Sequence, residues 1–227
     1  MGFLARTIAV LIPAYNAEKS LAELIHRLRK SLGEILIVVV DDGSVDKTHE
    51  VAASAEAVVL HHDKNRGKGA ALQTGFDYLN KQSGIEFIVT MDADLQHQPE
   101  DAPKFFLAQQ KTTADIIIGW RERIGTRMPV HRRLSNTITS ALVEIRTGRT
   151  IKDSQCGFRL IRRSVIEQIH LETAGYEAET EFLIKAARRG FTIDFVPVQT
   201  IYGAEKSYMT HWATTMNFIK VIFRNYE

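Results

Sequence analysis

Residues Ile35-Leu36-Ile37-Val38-Val39-Val40 are six consecutive aliphatic side chains, and the run breaks abruptly into Asp41-Asp42-Gly43-Ser44. A strand with one wet face alternates apolar and polar residues, whereas an unbroken aliphatic run is expected of a parallel strand covered on both faces. That restricts the chain to folds in which helices cross over a buried sheet. The flanking sequence agrees: its periodicity predicts strands over 8–12, 35–40, 58–60, 85–91 and 115–119. Helices are predicted over 17–32, 45–56, 69–80 and 99–110, the first with Asn16 as its cap. This βαβα order implies an α/β fold with a mostly parallel, doubly wound sheet, right-handed crossovers and helices on both faces. Beyond Gly119 the rhythm changes, with helices expected over 133–147, 164–169, 177–189 and 209–225 and extended segments over 158–161 and 192–198. With no repeat or linker in sight, 1–227 reads as one domain.

Composition sets further bounds. The 227 residues carry a formal charge of only +2, but five arginines (Arg121, Arg123, Arg127, Arg132 and Arg133) fall within thirteen positions. The basic residues lack interleaved aromatics, which argues against nucleic acid as a partner. Cys156 is the sole cysteine, so no internal disulfide forms and a reducing, cytoplasmic location is expected. No window approaches the ~20 apolar residues of a membrane span.

Ligands of open parallel sheets sit at the carboxyl ends of the strands. Three polar clusters fall there: Pro13-Ala14-Tyr15-Asn16-Ala17-Glu18, Asp41-Asp42-Gly43-Ser44 and Asp92-Ala93-Asp94-Leu95-Gln96. In an extended backbone, Asp92, Asp94 and Gln96 would project to one side and offer oxygens to a hard divalent cation such as Mg²⁺ or Mn²⁺. A single acidic strand end is explained by helix capping; three on one edge suggest a nucleotide site, with Tyr15 or Pro13 as an apolar wall. Asn65-Arg66-Gly67-Lys68-Gly69 is either an anion-binding turn with Lys68 assisting, or a tight turn that lets a helix pack closely. Glu179 and Glu181 differ by two helical positions, so at most one faces a cleft. His61, His62 and His97 have no evident ligand partners and read as surface or locally hydrogen-bonded groups.

These segments, in this order and spacing, resemble glycosyltransferase family 2, and within it the branch of dolichyl- and polyprenyl-phosphate sugar transferases. Gly157-Phe158-Arg159-Leu160-Ile161 and Glu179-Thr180-Glu181 match later motifs of that branch. The resemblance implies a GT-A fold with a nucleotide-sugar half (1–119), an acceptor half (120–205) and a C-terminal helix (206–227). It implies that Pro13, Tyr15, Glu18 and Asp42 hold the nucleoside, with Lys68, Asp92 and Ala93 also at the donor and Asp92, Asp94 and Gln96 on the metal. The donor would be a UDP- or GDP-sugar and the reaction inverting. Arg121, Arg133 and Ser135 match positions that gather acceptor phosphate, with Arg159 and Lys206 as further substrate contacts. Where the branch usually has Arg followed by Gly-x-Ser-Lys, this chain has Tyr202-Gly203-Ala204-Glu205-Lys206-Ser207-Tyr208.

Two acceptors fit an enzyme of this kind. A saccharide hydroxyl needs a general base, for which Glu179 is the candidate with Glu181 behind it. A lipid phosphate is already anionic and needs cations, which the Arg121–Arg133 segment supplies. The Trp212, Met216, Ile219 and Phe223 stripe of the last helix, beside Lys220 and Arg224, is either core or a membrane-surface contact that gives access to a lipid acceptor. A nucleotide-sugar-binding module without turnover is the reading from a different class.

Overall fold

The computed structural model describes residues 7–121, 130–201 and 211–226, with side chains left out of the description at 130–135 and 211–216. Among the described residues, seven strands form one sheet: β1 (Ile8–Ala14), β2 (Leu36–Asp41), β3 (Val58–His61), β4 (Phe87–Thr90), β5 (Ile116–Arg121), β6 (Arg159–Arg162) and β7 (Ile193–Val198). Their order across the sheet is β3-β2-β1-β4-β6-β5-β7. All neighbours run parallel except at β6, which is antiparallel to both β4 and β5. The aliphatic run that became β2 is buried from Ile37 to Val40, as a doubly covered strand requires. Pro197, which cannot donate to a ladder, lies in β7 at the sheet edge.

The helices are α1 (Leu21–Leu32), α2 (Thr48–Ser54), α3 (Lys68–Leu79), α4 (Ala102–Thr112), α5 (Val130–Thr147), α6 (Arg163–Ile166), α7 (Ala178–Arg188) and α8 (His211–Phe223). Helix α1 buries Leu21, Leu24, Ile25 and Leu28, one stripe at helical spacing, and packs against α2 and α4. Helix α3 lies on β1 and β2 and meets α7, where Phe76 and Phe182 approach to 6.1 Å between ring centres. Phe105 of α4 stacks on Phe158 at 4.3 Å. The first helix starts later than its periodicity suggested. Asn16 adopts a left-handed φ of 52° and residues 17–20 turn before α1 begins.

The reversal at β6 matters for function. Because β6 runs backwards, its amino end reaches the edge where β1, β2, β4 and β5 have their carboxyl ends. The register Thr90 to Arg159 places the preceding segment, residues 153–157, beside the residues that follow β4. Thr90 Oγ1 fixes that junction by donating to the Gly157 carbonyl at 2.8 Å.

Candidate active site

A cleft of about 760 Å³ opens at this edge, lined among others by Pro13, Tyr15, Glu18, Asp42, Lys68, Asp92, Ala93 and Asp94. Eight candidates from distant parts of the sequence are therefore brought together. The segment after β1 is sewn to the β2–α2 loop. The amides of Asn16 and Ala17 donate to Ser44 Oγ and Thr48 Oγ1, and Glu18 Oε2 accepts from the Lys47 amide.

At the cleft floor the Lys68 ammonium bridges two carboxylates, Asp92 and Glu179, with 2.7 Å to Glu179 Oε1. Burial alone favours a neutral lysine, but the two facing carboxylates outweigh it and lift the Lys68 pKa well above the ordinary lysine range. For Asp92 burial pushes upwards, yet the Lys68 charge wins and holds it below the usual carboxylate range. Gly157 closes the floor. A methyl group there would lie 2.7 Å from Asp92 Oδ2 and 2.9 Å from Glu179 Oε1, so only a residue without a side chain lets both carboxylates converge on the lysine.

Several expectations need correction. Asp92, Asp94 and Gln96 do not share a face of an extended strand: β4 ends at Thr90, residues 93–95 turn, and Leu95 takes a left-handed φ of 56°. Asp92 and Asp94 line the cleft, whereas Gln96 is not among its lining residues and its carbonyl accepts from the Ile201 amide at 2.8 Å. The glycine-rich turn is a packing turn. The Arg66 and Gly67 amides go to the Asp42 carboxylate, and those of Gly69 and Ala70 go to the Ala174 carbonyl. Asp42 is thus buried and bonded to the neighbouring β3–α3 loop, accepting also from His62 at 2.6 Å. Arg159 is 3% exposed, and its guanidinium donates to the carbonyls of Ser154, Cys156 and Glu179, so it braces the loop before β6 instead of reaching a substrate.

Glu181 points away from the cleft, accepting from the Glu172 and Thr173 amides and pairing with Lys185, which leaves Glu179 as the glutamate at the site. Arg121 forms a two-pronged pair with Asp153, 2.7 and 2.9 Å long. Burial works to raise the Asp153 carboxyl, but Arg121 prevails and holds it below its usual range. Of the two readings of His97, surface or locally hydrogen-bonded, the second holds. It is buried, with Nε2 3.6 Å from Cys156 Sγ and Nδ1 3.5 Å from Thr200 Oγ1, and burial, then the nearby Arg121, push its pKa down to about 4. Arg133 and Ser135 fall in the first turns of α5, where side chains lie outside the described residues, as does the whole of Lys206.

Sequence reasoning singled out the 153–159 segment but gave Asp153 no role as the partner of Arg121 and Gly157 none as a close-approach position, and it missed Gly175-Tyr176, which line the cleft before α7. Tyr176 stands under the Lys68 ammonium, 5.9 Å from ring centre to nitrogen. No periodicity marks these residues; only the isolated Gly157 before a strand was a usable signal.

The family model described as Glycosyl transferase family 2 matches residues 9–170. The chain belongs to this family. As a family 2 member it is a glycosyltransferase, and its relatives bear on which kind. An undecaprenyl-phosphate mannosyltransferase of Micrococcus luteus is 33% identical over 84% of this chain and 82% of its own length. A UDP-N-acetylglucosamine–dolichyl-phosphate N-acetylglucosaminyltransferase of Methanococcus voltae is 28% identical over 96% and 94%. Among solved structures, glucosyl-3-phosphoglycerate synthase of Mycobacterium tuberculosis, in complex with Mn²⁺, UDP and glucosyl-3-phosphoglycerate, superposes with a TM-score of 0.76. It is 22% identical, over 96% of this chain and 78% of that one, a likeness that shows the GT-A fold.

Proposed function

We propose that this family 2 enzyme moves a hexose from a UDP- or GDP-sugar to a polyprenyl phosphate, inverting the anomeric carbon. The observation that carries the choice of acceptor is the Lys68–Glu179 ion pair. A hydroxyl acceptor would need a general base, and the one glutamate placed here already commits Oε1 to the Lys68 ammonium. A phosphate acceptor is already an anion and asks for no such base. The names of the relatives point the same way, and because those two carry different sugars the hexose stays open. Arg121, oriented by buried Asp153, lies at the end of β5 next to the arginine-rich segment that would gather the acceptor phosphate.

The donor set suits a hard divalent cation: Asp92 and Asp94 offer carboxylate oxygens on one turn, and Asp92 already faces positive charge. These two residues would hold Mg²⁺ or Mn²⁺, which when bound offsets the charge of the departing diphosphate. Pro13, Tyr15 and Glu18 wall the nucleoside end, Asp42 shapes the loop beneath it, and Lys68 supplies a second cation at the diphosphate end.

Contact with a membrane surface fits the last helix. Phe218, Val221 and Ile222 are buried, whereas Ile219 and Phe223 are exposed beside Lys220 and Arg224. Trp212 and Met216, the rest of the expected stripe, have side chains outside the described residues. Among the described residues no helix is long and apolar enough to cross a membrane.

The test is a transfer assay with UDP- and GDP-sugars, with and without Mn²⁺, offering a short polyprenyl phosphate or a saccharide. Lipid-linked product that survives Glu179→Gln, but is lost with Asp94→Asn, with Arg133→Ala or with chelator, is the expected result. Transfer confined to saccharide hydroxyls and abolished by Glu179→Gln would overturn it.

A further inference from the structure

A second cluster lies outside the cleft, where β2 and β3 end side by side. Asp41, the last residue of β2, is 1% exposed. Its Oδ2 faces His61 Nδ1 at 3.1 Å and His49 Nδ1 at 3.8 Å, while Oδ1 accepts from the Ser44 amide at 3.0 Å. One ligand atom from each of the three residues lies within 4.8 Å of the other two. The imidazoles meet edge to face at 5.5 Å, and both are half open to solvent. The site therefore has a closed anionic floor and an open mouth.

We propose that Asp41, His49 and His61 bind a borderline divalent transition ion, with Zn²⁺ as the type, at a site distinct from the Asp92/Asp94 pair. Zinc bonds of about 2.0–2.2 Å to nitrogen and oxygen, at a tetrahedral angle, put neighbouring ligand atoms roughly 3.3–3.5 Å apart. The two distances from Asp41 bracket that spacing, so small rotations of two half-exposed rings complete the set. The donors also discriminate: imidazole favours zinc, cobalt, nickel and copper, whereas the all-oxygen pair in the cleft favours magnesium or manganese. The Ser44 amide supplies the outer bond that orients a ligating carboxylate. An ion held here would tie the start of α2 (His49) to the ends of β2 and β3. That would brace the loop whose Ser44 and Thr48 side chains receive the amides of Asn16 and Ala17 along the cleft. Nothing in this depends on the identity of the acceptor.

Metal-stripped protein carrying Asp94→Asn, which disables the cleft pair, is titrated with Zn²⁺ by calorimetry and with Co²⁺ by visible absorption. The expected result is saturable uptake of one ion, a raised melting temperature and the cobalt band of a low-coordinate nitrogen–oxygen site. Adding His49→Ala and His61→Ala should abolish all three. His49→Gln alone should weaken binding by more than the roughly 10- to 100-fold typical of losing an outer-shell partner. Circular dichroism checks that the variants fold. No saturable uptake by the Asp94→Asn protein, or equal uptake with both histidines gone, overturns the proposal.

Discussion

Lys68 shows how strongly one side chain ties this site together. It sits between Asp92, 24 residues away in sequence and partly open to the cleft, and Glu179, 111 residues away and buried, so removing it strands the Glu179 charge out of water. Lys68→Ala should destabilise the fold by on the order of 3 kcal/mol, since breaking a buried pair leaves an uncompensated charge. Mn²⁺ should restore part of the loss by neutralising Asp92. Denaturant unfolding with and without the ion measures both, and an unchanged midpoint would contradict the role. Gly157→Ala makes a different demand. Its methyl group would meet the far ends of two flexible carboxylates and not backbone. The chain should fold with nearly normal stability while donor turnover falls at least about tenfold, because positioning errors near 1 Å carry large rate costs. Comparing the melting temperature with the turnover separates the two effects.

At the scale of elements, the contact that positions Lys68 is the one between the amino end of α3 and the loop before α7. A methyl group on Gly69 would fall 2.6 Å from the Ala178 side chain and would also strike the Thr173 carbonyl. Gly69→Ala must therefore push α3 away from the segment that carries Glu179. A cost of about 1–3 kcal/mol is expected of such overpacking, with loss of transfer in proportion to the separation of Lys68 from Glu179. Equilibrium unfolding and the transfer assay together check this, and wild-type values in both would contradict the packing argument. Strand β6 acts at the same scale. As the one antiparallel strand among those described, it carries residues 153–157 to the edge where the parallel strands end.

For the whole molecule, the one thiol reports global opening. Cys156 is fully buried beneath the site, and burial pushes its pKa up to about 12. A thiol reacts as the thiolate, so at pH 8 the native protein should resist a disulfide reagent over hours. It should label fully once unfolded in guanidinium. Rapid labelling of the native state would mean that this part of the core opens readily.

The strands, the helices, the mostly parallel sheet and the acidic strand ends were legible in the chain, because aliphatic runs and helical stripes are local patterns that burial enforces. The clustering of Pro13, Tyr15, Glu18, Asp42 and Asp92 followed from the rule that parallel strands present their carboxyl ends together. Tertiary structure alone decided what has no local signature. The turn at Leu95 takes Asp92, Asp94 and Gln96 off a common strand face and points the Gln96 backbone amide at Asp94 Oδ1, and Arg159 is spent on three carbonyls. The amides of the glycine-rich turn are turned to Asp42 and Ala174. The Lys68 bridge and the pairing of Asp41 with two histidines are also contacts across long sequence separations, and periodicity in a sequence records which face is buried but not which charges meet there.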